Sequence, residues 1–237
     1  MKRNICIVVP CYRVRDQILS VYNKIDFKII DKVIIVDDCC PEKSGRFLQK
    51  KIKKNHKIKF IFLKRNLGVG GATIKGFRYA LKKKFDVIIK IDGDGQHNIN
   101  ILKFFLHGFK INKFDFCKGY RSFNRKSKKN KMPFLRFWGA KVLEILVRLN
   151  SGNNKINDPC HGLIALNYKL LKKINLNHLK ENYFFEQDLI LNVVKLNGKI
   201  GQFKNEVTYG SETSYLNPLM SILPFLYYHF LHFIKKY

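Results

Sequence analysis

The strongest constraint on this chain is an alternation that runs through residues 5–91. Short β-branched runs, Ile5–Val9, Val33–Val36, Ile58–Leu63 and Val87–Ile91, take turns with amphipathic segments at about 14–25, 43–54 and 71–84. Largely apolar runs of this length, two of them interrupted by a single lysine (Lys59, Lys90), suit strands buried on both faces, as in a parallel sheet. Parallel strands need crossovers, and a strand–helix–strand rhythm supplies them with right-handed connections. The expectation is an α/β fold with a mostly parallel central sheet flanked by helices. Ligands of such sheets bind beyond the carboxyl ends of the strands. The polar residues that follow three of these runs therefore matter most: Pro10-Cys11-Tyr12, Asp37-Asp38 and Asp92-Gly93-Asp94.

Beyond Cys117 the pattern changes. The stretch Lys118–Arg136 holds eight Lys or Arg and no acid. A helix is expected at about 134–149, then an Asn- and Gly-rich loop at 150–159, a strand at 162–166 and a helix at 183–197. The end, Pro218–Ile234, is apolar and aromatic. No internal repeat and no long linker appear. The expected organisation is one domain over 1–215 and an apolar C-terminal helix over 216–237. With 237 residues, one core can bury roughly 70–75% of the unfolded surface, so no disulfide or structural metal is required.

Forty-six Lys and Arg against 17 Asp and Glu leave a formal charge of +29. With 46% hydrophobic residues this is not a disordered chain. A basic surface attracts nucleic acid, anionic lipid or phosphorylated small molecules. Lysine outnumbers arginine 36 to 10, and such a surplus also arises from coding bias. No helix-turn-helix, KH or RRM signature accompanies the charge, so no nucleic-acid partner is expected. Six cysteines include no C-x-x-C pair and sit mostly in apolar stretches, as free thiols in a reducing compartment do. The apolar run after Met1-Lys2-Arg3 is too short for a signal peptide. A cytoplasmic location is expected.

Acidic residues are scarce, and eight of the 17 fall in four groups: Asp37-Asp38, Asp92 with Asp94, Asp158, and Glu186, Asp188 and Glu212. Two carboxylates around a glycine at a strand end can hold Mg²⁺ or Mn²⁺ against a diphosphate, with Gln96 or His97 completing or orienting the shell. The competing reading is a solvated Asp-Gly turn. A carboxylate at Asp37-Asp38 can accept hydrogen bonds from a nucleobase; otherwise it caps the following helix, a role for which Ser44 stands nearer. The run from Arg65 to Ala72 brings glycine backbone close to a ligand or to another element, and opens a helix whose N-terminus favours anions. It lacks the Gly-Lys-Ser/Thr of a Walker A loop.

Taken together, Val8 through Tyr12, Val36-Asp37-Asp38, Asn66 through Ala72 with Gly76, Asp92 through His97, Gly119 through Ser122, Asp158 through Gly162 and Phe185 through Leu189 resemble the family 2 glycosyltransferases of GT-A fold. The nearest branch looks like the dolichyl- or polyprenyl-phosphate sugar transferases. The likeness spans about residues 4–215. It implies that Pro10, Tyr12, Val36 and Asp38 line a nucleotide pocket, and that Asp92, Gly93 and Asp94 meet metal and diphosphate with Gln96 close by. It places Arg121 near the donor diphosphate. Asp158, Gly162 and Glu186 fall on the acceptor side, and Asp188 takes the catalytic acidic position for which Glu186 is the rival. Residues two apart on a helix face different ways, so one of the two enters the site.

Two departures bear on the acceptor. The first motif continues Tyr12-Arg13-Val14, without the family's acidic residue at position 14. The segment Tyr209–Tyr215 carries Glu212 where polyprenyl-phosphate enzymes carry basic residues. The implied chemistry is displacement with inversion at the anomeric carbon of a nucleotide-diphospho-sugar, with Asp188 as base for a hydroxyl acceptor. A lipid-phosphate acceptor is already anionic and needs no strong base. A glycan-extending transferase is the alternative activity. The 16 residues Leu219–Ile234 make a helix of about 24 Å, short of the roughly 20 residues of a full span. Their aromatics, with Lys235-Lys236 behind, suit either an interfacial anchor or an ordinary packed helix. Peripheral contact with the inner membrane face is expected.

Overall fold

The computed structural model describes residues 3–121, 134–206 and 218–234. Seven strands form one sheet: β1 (Ile5–Cys11), β2 (Lys32–Asp37), β3 (Ile58–Phe62), β4 (Val87–Lys90), β5 (Phe116–Tyr120), β6 (Ile164–Asn167) and β7 (Ile200–Lys204), in the order β3-β2-β1-β4-β6-β5-β7. Every neighbouring pair is parallel except those of β6, which runs antiparallel to both β4 and β5. The helices are α1 (Ile18–Asn23), α2 (Ser44–Lys51), α3 (Gly68–Lys82), α4 (Leu102–His107), α5 (Phe134–Ser151), α6 (Tyr168–Lys173), α7 (Phe185–Lys195) and α8 (Pro218–Ile234).

The continuous apolar strands are explained by two cores, one on each face. Cys6, Val8, Ile34, Val36 and Ile88 point toward α3 and α7. Ile5, Ile7, Val9, Val33, Ile35 and Ile89 point toward α1, α2 and α4. The first two crossovers therefore cover one face and α3 covers the other. The order in which strands are laid down reverses between the parallel neighbours β1 and β4, the switch point at which an open α/β sheet leaves a crevice. Gly76 lets α3 lie close against β1, since a Cβ there would collide with Val8 Cγ1.

Element bounds moved where side chains compete for backbone groups. The helix expected from 14 starts at Ile18, because Arg13 is left-handed at φ 53° and the Val14 N–H is donated to Ser44 Oγ. The helix expected from 71 starts three residues earlier, at Gly68. Strands β5 and β7 and helices α4 and α6 were not anticipated. Asn167 signals α6: its side chain accepts from Leu170 N–H as an N-cap.

The C-terminal helix is docked through one side. Phe225, Tyr228 and His229 are buried, while Leu223, Tyr227 and Phe230 stay in solvent. His229 Nε2 lies 2.7 Å from Gln187 Oε1 and its Nδ1 2.8 Å from Asn150 Nδ2, which ties α8 to α7 and α5. Burial, with His232 adding to it, pushes the His229 pKa down to about 4, so the ring is neutral in this seam. Among the described residues no helix is long and apolar enough to cross a membrane. The Tyr209–Tyr215 segment and most of the basic stretch lie outside the described residues.

Candidate active site

A cavity of about 320 Å³ opens at the carboxyl ends of β1, β2 and β4. Pro10 and Tyr12 reach it from β1, Asp38 from β2, and Asp92, Gly93 and Asp94 from β4. Asn66, Gly68 and Ala72 close it from the start of α3. Three strand ends thus meet at the switch point.

Each carboxylate has its own electrostatic setting. Asp94 Oδ1 accepts the Gln96 backbone N–H at 3.0 Å. Burial, and then the neighbouring Asp92, push the Asp94 carboxyl pKa up. For Asp92, burial pulls the same way, but the Lys90 ammonium and His97 outweigh it and hold the carboxyl well below the usual range. Its two oxygens are already engaged: Oδ1 lies 2.6 Å from Lys90 Nζ and Oδ2 lies 2.9 Å from His97 Nε2. Asp38 Oδ1 accepts the Leu67 N–H at 2.7 Å, and burial raises its pKa as well. Asp37 is the helix cap. Its oxygens accept from Cys40 N–H and Gly45 N–H at the start of α2, while Ser44 Oγ serves Val14.

Several expected residues lie elsewhere. Val36 is fully buried on the α3 face of β2 and does not line the cavity, because its position in the strand turns it into the core. Arg121 spends its fork on Asp158, with Nη2 to Oδ1 and Nε to Oδ2 both at 2.7 Å, and its backbone N–H adds a third bond at 2.9 Å. Burial opposes ionisation of Asp158, yet the guanidinium holds its pKa well down. The Asp158 N–H is donated to Glu144 Oε2 of α5. Asp158 is therefore a buried anchor for the 156–162 loop. Lys118, counted with the basic stretch, is buried and donates to the carbonyls of Gly119, Asn157 and Asp158. Burial pushes its pKa down to about 8.

The two acidic residues of α7 do face apart. Glu186 Oε1 lies 2.6 Å from Lys90 Nζ and so joins the Asp92 network. Asp188 turns to α8: Oδ1 accepts from Tyr228 Oη at 2.7 Å and Oδ2 from Lys180 N–H at 2.9 Å. Of the two, Glu186 is turned toward Asp92 through Lys90, and Asp188 fastens α7 to α8. Gly162 belongs to the Asp92 network too, since a Cβ there would overlap Asp92 Oδ2. The glycine turn before α3 packs on another element rather than offering free donors: Gly71 N–H is donated to Glu181 O at 2.8 Å.

The sequence names Lys90 only beside Lys75 and Arg121 as a cation that could add charge at the leaving diphosphate, and it does not single out His161. Lys90 and Asp92 stand two apart at a strand end, where alternate side chains share a face, so a lysine inside Val87–Ile91 was a readable signal. His161 stacks at 4.7 Å from the His97 ring, a contact between residues remote in sequence.

The family model for glycosyl transferase family 2 matches residues 6–174. The chain belongs to that family. It is 26% identical over 183 residues to the UDP-N-acetylglucosamine–dolichyl-phosphate N-acetylglucosaminyltransferase of Methanococcus voltae, covering 72% of each chain. It is 24% identical over 172 residues to the undecaprenyl-phosphate mannosyltransferase of Micrococcus luteus, covering 71% of this chain and 68% of that one. Among solved structures it resembles glucosyl-3-phosphoglycerate synthase of Mycobacterium tuberculosis in complex with Mn²⁺, UDP and phosphoglyceric acid. The TM-score is 0.71 at 15% identity, over 96% of this chain and 78% of that one. The fold is the GT-A glycosyltransferase fold, and the protein is a glycosyltransferase.

Proposed function

We propose that this glycosyltransferase moves a sugar, with inversion, from a nucleotide-diphospho-sugar to a polyprenyl phosphate at a membrane surface. The observation that carries the acceptor reading is the state of the α7 carboxylates. Glu186 is held against the Lys90 ammonium, and Asp188 is bonded to Tyr228 and Lys180 outside the cavity. Neither of these carboxylates lines the cavity, where a base for a sugar hydroxyl would have to stand. A phosphate monoester arrives ionised and attacks without losing a proton. The two named relatives bear dolichyl phosphate and undecaprenyl phosphate in their names, which agrees with this reading.

On the donor side, Asp38 stands where it can accept from a nucleobase N–H, and Tyr12 and Pro10 wall the cavity. Asp94 fits a hard divalent ion: it is a cavity-facing carboxylate whose charge is only partly compensated. Asp94 would hold the ion with Asp92 beside it, and Gln96 orients Asp94 through its backbone N–H. When bound, Mg²⁺ or Mn²⁺ supplies counter-charge for the leaving diphosphate.

Membrane contact is supported by two neighbouring helices. On α5, Trp138, Val142, Ile145 and Leu149 are exposed; on α8, Leu223, Tyr227, Phe230 and Ile234 are exposed. Both sets follow one helical stripe, and the chain around them is strongly basic, as a peripheral contact with anionic lipid requires.

The deciding experiment supplies labelled UDP- and GDP-sugars with Mn²⁺ and either polyprenyl phosphate in anionic vesicles or a soluble glycan acceptor. Label should enter the lipid fraction as an inverted glycosyl phosphate. Transfer to the glycan hydroxyl instead, or retention of configuration, overturns the proposal.

A further inference from the structure

Lys90 is out of place by composition. It ends β4, is completely buried, and has aliphatic neighbours along the strand. Lysine is almost never buried without partners. Here Nζ lies 2.6 Å from Asp92 Oδ1 and 2.6 Å from Glu186 Oε1. Burial would strip its proton, but the two carboxylates outweigh burial and keep it charged. The other oxygen of Asp92 is held by His97. Gly162 closes over the bridge, leaving no room for a side chain between itself, Asp92 and Lys90.

The two carboxylates belong to different halves of the site. Asp92 lines the donor cavity, and Glu186 opens α7 next to it. We propose that Lys90 is a positioning residue which shares one positive charge between them, so that a change at either carboxylate is felt at the other. It touches no reacting atom itself. The proposal rests on the donor reading given above. Any cation carried to Asp92 with the donor competes with Lys90 for the same oxygen, and Glu186 eases that competition by drawing the ammonium the other way. With Glu186 neutralised, Lys90 has one anion left and grips Asp92 harder. Donor binding then weakens, through Lys90, although Glu186 itself is not a donor ligand.

The test is equilibrium binding of UDP- and GDP-sugars by calorimetry, with Mn²⁺ and no acceptor, on the full chain. Lys90→Met would leave two buried carboxylates face to face and risks unfolding. Lys90→Gln retains hydrogen bonding, Lys90→Arg retains the charge, and thermal unfolding reports the fold of each. Glu186→Gln should weaken donor binding about fivefold in the wild-type background, the lower end of ordinary coupling between sites. In the Lys90→Gln background the same change should fall below about twofold, as for uncoupled positions, and Lys90→Arg should restore the coupling. Equal weakening with and without Lys90, or none in the wild type, overturns the bridge and leaves the donor reading intact. A wild-type chain that binds no sugar nucleotide overturns both.

Discussion

The proposed donor half and the proposed acceptor half of this site are built by opposite means. The donor half takes its residues from the ends of β1, β2 and β4, and Asp38 and Asp94 face an open cavity. The acceptor half is assembled from β5, the 156–162 loop and α7, and its carboxylates are paired: Asp158 with Arg121, Glu186 with Lys90, Asp188 with Tyr228. Open carboxylates await a ligand, whereas paired ones hold the structure. Substitutions should therefore separate: donor-side changes act on catalysis, and acceptor-side changes act first on stability.

The largest effect should come from Asp158→Ala. Removing one member of a buried ion pair costs about 3–5 kcal/mol, because the Arg121 guanidinium would keep its charge without it. Thermal unfolding measures the loss. The pH dependence has a fixed sign. The folded pKa of Asp158 is depressed, so its contribution is complete above the unfolded value of about 3.9 and fades as pH falls below it. Wild type should lose stability on that acid branch, and Asp158→Ala should flatten it. An unchanged melting temperature in the variant would break the contrast between the halves.

Asp94→Ala should do the reverse. Donor-dependent transfer should drop by about 10²–10³-fold, the usual cost of losing one preorganised electrostatic contact, with the melting temperature of the free protein held or raised. Relief of the Asp92–Asp94 repulsion explains the second half. Chelation of divalent ions should reproduce the activity loss in the wild type. Gly162→Ala tests the junction of the two halves. Its Cβ would push on Asp92 Oδ2, and a misplacement of roughly 1 Å costs about 10²-fold in rate. The assay is transfer at saturating acceptor, and activity near wild type would show that the junction tolerates movement.

The two halves also differed in how far the sequence disclosed them. The residues proposed for the donor follow apolar strands directly, so period and punctuation mark where the chain leaves the sheet, and Pro10, Asp38, Asp92 and Asp94 all line the cavity. Val36 shares a strand face with Asp38, but it lies one pleat deeper in the sheet, in the core against α3, and the cavity begins only where the strand ends. The acceptor half depends on pairs remote in sequence, Arg121 with Asp158, Lys90 with Glu186 and Asp188 with Tyr228, which no local pattern encodes. Helical geometry did show that Glu186 and Asp188 diverge. It left open which one turned inward, because that depends on where α8 docks, and the Tyr228 hydroxyl that claims Asp188 lies 40 residues away.

The smallest effect sharpens that last point. Tyr228→Phe deletes the hydroxyl that donates to Asp188 and leaves a buried carboxylate oxygen short of a partner, which should cost about 1.5–3 kcal/mol in the melting transition. Glu186 is anchored separately by Lys90, so the donor KM should stay within about twofold, since the two fastenings share no side chain. Were Asp188 the catalytic group, freeing it from Tyr228 would instead change kcat and its pH profile. A stability loss with unaltered kcat keeps Asp188 as a fastening between α7 and α8. A shifted pH–rate profile in Tyr228→Phe would return it to the site and reverse the roles assigned to the two acids of α7.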